Sequence, residues 1–64
     1  MNIQFVIDLA FRVSLNFHIE QREGNSILVK FENEEVAVSF VEEISVYEEF
    51  SVVRNENEVL VRIL

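Results

Sequence analysis

The side chains of this chain that could do chemistry are a single histidine and twelve carboxylates, with no cysteine beside them. His18 and Glu20 stand two residues apart, with Asn16 two before, a spacing that puts all three on one face of a strand. Such a face can hold a metal or an acid–base pair, but coordination needs three or four convergent ligands and no further donor follows. Doublets of glutamate at Glu34–Glu35, Glu42–Glu43 and Glu48–Glu49 could supply paired carboxylates for general acid–base or glycosidic chemistry. Their helical spacing instead makes them the solvated face of an amphipathic helix. Nucleophilic catalysis has no Gly-x-Ser-x-Gly, and the single glycine leaves no phosphate-cradling loop. Calcium would need clustered Asp and Asn around a turn glycine, which is absent. The expectation is a non-catalytic protein with no cofactor and no metal.

The elements that must position these residues are legible in part. Asn33 is a good N-cap, followed by two glutamates where the helix dipole favours negative charge. At about 100° per residue, Val36, Ala37, Phe40, Val41, Ile44 and Tyr47 share one arc, with the glutamates, Val38 and Val46 opposite. A helix over residues 34–47 is expected. Residues 14–20 and 26–32 alternate in polarity around the turn-forming run QREGNS, which predicts a β-hairpin. Residues 50–54 and 59–64 read as two more strands joined by the polar loop 55–58, a second hairpin.

The first twenty residues are ambiguous. Every odd position from Met1 to Ile19 is apolar, and among the even positions only Val6 and Ala10 break polarity, the period of a half-buried strand. Straight, that strand would span roughly 66 Å, against a globule diameter of roughly 28 Å for a chain this long. It must therefore bend or leave the body. Gln4, Asp8 and Arg12 form a competing helical stripe at four-residue spacing, but the rest of that helix would be apolar almost all round. β-branched and aromatic residues also favour the strand. The expected architecture is one α+β domain over residues 1–64, order β-β-α-β-β with a long bent first strand. One helix would lie on one face of a small antiparallel or mixed sheet. The alternative has an N-terminal helix, α-β-β-α-β-β.

Charge and size point to partners. The net charge is −7, and residues 32–64 carry nine glutamates against Arg54 and Arg62, whereas charges in residues 1–31 cancel. Such a body repels nucleic-acid phosphates and anionic lipid, so neither is expected to bind directly. The aromatics are not interleaved with Lys or Arg, as nucleic-acid stacking would want. The absence of cysteine fits a cytoplasmic location, and charges at Asp8 and Arg12 argue against a signal peptide or membrane span. With half its residues hydrophobic and neither disulfide nor metal to stabilise it, so small a domain is expected to associate with itself. The expected self-association surface is Ile3, Phe5, Val6, Ile7, Leu9, Ala10, Leu28, Leu60 and Leu64. In it, the first segment reaches towards a second subunit. The functional expectation is a homodimeric protein-interaction or regulatory module. The alternative is an acidic inhibitor or nucleic-acid mimic that sets Glu34, Glu35, Glu42, Glu43, Glu48 and Glu49 against a basic groove.

Overall fold

The computed structural model describes residues 3–64 and shows an α+β fold of order α-β-β-α-β-β. Its elements are α1 (Ile3–Val13), β1 (Phe17–Arg22), β2 (Ser26–Phe31), α2 (Glu34–Ile44), β3 (Phe50–Asn55) and β4 (Glu58–Ile63). The order is the alternative, not the expected β-β-α-β-β: the opening segment is a helix. Met1 and Asn2, with which the expected strand begins, lie outside the described residues.

Length decides the matter. Eleven residues make a helix of about 16 Å but a strand of about 36 Å, and the molecule measures 26 × 22 × 19 Å. Burial follows the helical period: Val6, Leu9 and Ala10 are almost wholly buried, with Ile3, Phe5 and Val13 packed partly against the core. Gln4, Asp8, Phe11 and Arg12 are exposed. The objection that this helix is too apolar is met by graded burial, since Phe5 and Ile7 on its flanks are only half-buried. Gln4 donates to Asp8 across one turn at 2.9 Å.

Asn33 caps α2 as its sequence requires, its side chain accepting from the Val36 N–H at 2.9 Å. Ala37, Phe40 and Ile44 are fully buried, the centre of the expected apolar arc. The helix stops at Ile44, a turn short of residue 47, and the Tyr47 N–H donates to the Ile44 carbonyl at 3.1 Å. Tyr47 still reaches inward, where its ring meets Phe5 edge-on with centroids 4.9 Å apart. Phe5 also stacks on Phe50 at 6.0 Å, tying α1 to the start of β3.

All strand pairing is antiparallel in the order β1-β2-β4-β3, so the second strand of each hairpin lies at the centre. The first turn is tighter than QREGNS, residues 23–25, with Gly24 at φ +68, a region glycine enters without steric cost. The second turn is Glu56 and Asn57 rather than the loop 55–58. Both helices lie on one face. Ile27, Val29, Phe31, Val59 and Val61 point into that core with Phe50, and a single buried cluster joins the sheet to α1 and α2.

The link from α1 to β1 is fixed by Ser14, a residue the sequence did not single out. Its hydroxyl donates to Glu32 Oε1 at 2.7 Å and accepts from the Asn16 N–H at 2.9 Å. The chain thereby turns immediately after α1 and enters β1 beside the end of β2.

Candidate interaction surfaces

Among the described residues, no helix covers the second face of the sheet. Strand registers set its side chains in rows: His18, Lys30, Glu58 and Asn55; then Glu20, Leu28, Leu60 and Val53; then Arg22, Ser26, Arg62 and Ser51. The middle row is apolar across β2, β4 and β3. Leu28 is shielded by its neighbours, whereas Leu60 and Val53 are 36% and 61% exposed. A depression of about 540 Å³ lies over this strip, with Arg22, Ser26 and Glu58 on its rim.

Three of the five cations, Arg22, Lys30 and Arg62, lie on this face with three carboxylates, Glu20, Glu58 and, from the turn that lines the depression, Glu23. In a chain of net charge −7 the face is therefore close to neutral, and the excess acidity belongs to the rest of the molecule. Glu20 binds Lys30 Nζ at 2.8 Å and Arg22 at 3.3 Å. The hydrogen bond and charge of Lys30 hold the Glu20 carboxyl below its ordinary pKa, and Glu20 in turn raises Lys30. Among the described residues, Arg62 alone of the cations has no carboxylate within 4.0 Å.

His18 and Glu20 do share a face, as expected from their spacing, but Glu20 is committed to the two cations. Among the described residues no three His, Cys, Asp or Glu side chains converge as a metal site would need. Nor does a buried side-chain polar atom lack a hydrogen-bond partner there.

The acidic surface lies on the helical side. Glu34 is paired with Arg54 at 3.1 Å and Glu43 with Arg12 at 3.6 Å. Glu35, Glu42, Glu48 and Glu49 have no cation within 4.0 Å among the described residues. Glu48 and Glu49 lie in the turn before β3, beyond the helix that was expected to end near them. Val38 and Val46 are exposed beside these carboxylates.

The expected self-association residues divide. Leu28 and Leu60 stand on the open sheet face, and Leu64 is exposed just after β4. Val6, Leu9 and Ala10 are buried inside their own chain and cannot line a surface; Ile3, Phe5 and Ile7 are half-buried on α1. The expected placement of Val6 and Ala10 on the open face fails because it followed the strand period. Val53 was missed there; it lies directly opposite Leu60 in the β3–β4 pairing. Its signal was the unexplained apolar residue beside Val52, which a two-residue period must place on the other face. No helix among the described residues is long and apolar enough to cross a membrane. Comparison with known protein families, curated proteins and solved structures yields no match.

Proposed function

We propose that this chain is a small non-catalytic protein-interaction module that acts as a homodimer in the cytoplasm and binds another protein. One observation carries the reading: the strip Leu28–Leu60–Val53, ringed by charge, on a sheet face no helix covers. Apolar surface grouped at the centre of a polar rim is how protein contacts are built, with the centre releasing water and the rim setting orientation. The test is capture of partners from the source cell with the wild-type chain and with Val53→Glu, a substitution on an edge strand at an exposed position. A partner lost at least tenfold by the variant supports the reading. Equal recovery of every captured protein contradicts it.

A second reading, the acidic inhibitor or nucleic-acid mimic, is supported by the four carboxylates Glu35, Glu42, Glu48 and Glu49, which face solvent with no cation within 4.0 Å among the described residues. On that reading a basic groove is the binding partner and association weakens with salt. Capture would then be lost by Glu42→Lys with Glu43→Lys and kept by Val53→Glu.

A further inference from the structure

We propose that the free edge of β1 pairs with the same edge of a second copy, antiparallel about a two-fold axis at Ile19, joining two sheets into one of eight strands. This rests on the homodimer reading above and gives it a surface.

The backbone supplies the first part. The Phe31 N–H donates to the Asn57 carbonyl at 2.9 Å and the Ile63 N–H to the Asn25 carbonyl at 2.7 Å. Both pairs continue the β2–β4 register. In an antiparallel ladder the bonded pairs alternate, so the odd residues of β2 bond to β4 and the even ones to β1. On β1 the partners are therefore His18, Glu20 and Arg22. Phe17, Ile19 and Gln21 direct their N–H and C=O groups outward, to an edge that no other strand of the sheet flanks among the described residues.

Natural edges are closed to pairing by proline, a bulge, shortness, charged side chains or a charge pointing inward. The charges of β1, Glu20 and Arg22, lie on the open face, where Glu20 pairs with Arg22 and with Lys30. β1 runs six residues in unbroken register, the chain contains no proline, and its helix-facing residues Phe17, Ile19 and Gln21 are uncharged. The opposite edge is guarded. On β3 the inward-facing Arg54 carries a charge held by Glu34, and the Phe50 N–H already approaches the Tyr47 carbonyl at 3.5 Å.

Side chains choose the register. Centring the axis on Ile19 places Ile19 against the partner's Ile19 and His18 against the partner's Glu20, twice over. It also gives about six new backbone hydrogen bonds from Phe17, Ile19 and Gln21, against about four within β1 for an axis at Glu20. Centring on Glu20 opposes two glutamates and sets His18 against the partner's Arg22. Centring on Gln21 shortens the overlap and sets Ile19 against the partner's Glu23. On the helical side, Phe11 is 52% exposed and meets Phe17 edge-on at 4.8 Å. Together with half-buried Ile19 it forms an apolar shoulder that the second copy would extend.

The chain has no native cysteine, so single cysteines report the register directly. Cα atoms of a hydrogen-bonded antiparallel pair lie about 5.5 Å apart, within disulfide range. Ile19→Cys is expected to give a disulfide-linked dimer on mild oxidation, read by intact mass. Gln21→Cys should not, its two copies standing about 14 Å apart along the strands. Gln21→Pro removes an outward N–H that bonds nothing within the chain, and should weaken the dimer at least tenfold in sedimentation velocity. If the wild type is a dimer but Gln21→Cys links in place of Ile19→Cys, the pairing about Ile19 is refuted; if neither links and Gln21→Pro stays dimeric, the β1 edge is refuted as well, and in both cases the homodimer stands. A wild-type monomer at every concentration refutes both.

Discussion

At the scale of single residues, Glu20 is the busiest side chain of the open sheet face, holding Lys30 across the β1–β2 pair and Arg22 along its own strand. Its pKa is lowered chiefly by the Lys30 hydrogen bond. What it contributes to the hairpin is therefore present above the pKa of an unperturbed glutamate and fades as pH falls through its own lower value. Lys30 is shifted upward by the same contact, so its contribution holds below the ordinary lysine pKa and is lost as pH rises beyond its raised one. A carboxyl-detected NMR titration should find the Glu20 midpoint below the ordinary glutamate value, and Lys30→Met should raise it. Because the pair is exposed, global stability should respond weakly. Ser14 works the other way: it is nearly buried, and its hydroxyl joins two parts of the chain, but nothing in a lone serine distinguishes it in sequence.

At the scale of elements, α1 is where strand and helix make opposite claims about the same side chains. In a strand buried on its odd face, Phe11 would be inside and Val6 outside; in α1, Val6 is fully buried and Phe11 is half-exposed. Val6→Ala should therefore cost about 2 kcal/mol, from lost burial and the cavity left behind. Phe11→Ala should cost about 1 kcal/mol or less, the scale of its aromatic contact with Phe17; both are read by urea denaturation. The reverse order would restore the strand. The signal for the helix was present in Val6 and Ala10, the two exceptions to alternation, which sit four apart with Leu9 between them on one helical face. It was outweighed because odd-position apolarity continues through Ile19, and residues 17–19 do form a strand. α2 was legible because cap, arc and glutamates agree, up to its last turn, where Tyr47 contributes to the core from outside the helix. Both hairpins were legible from alternation and turn residues. The order β1-β2-β4-β3 was not, since it depends on which inner strands meet under the helices.

At the scale of the whole molecule, the fold separates two kinds of surface that the linear charge pattern only hinted at. Half of the carboxylates lie with α2 and its following turn, while Arg22, Lys30 and Arg62 surround the apolar strip on the opposite side. Of the candidate surfaces, the placement of Glu34, Glu35, Glu42 and Glu43 on one helix face was legible from helical spacing, whereas Glu48 and Glu49 lie in the turn beyond it. Three of the nine expected self-association residues, Val6, Leu9 and Ala10, are buried in their own chain because they were assigned through α1 read as a strand. Pairing through β1 leaves both faces free and doubles each, presenting two apolar strips on one side and two acidic helices on the other, and two sites on one body raise avidity for a partner that can engage both. A chain of 7.5 kDa with this much apolar surface gains most from self-association, and molar mass tests that most directly. Light scattering on the wild-type chain at increasing concentration should give a mass twice that of one chain. A mass of 7.5 kDa throughout, up to hundreds of micromolar, would contradict it.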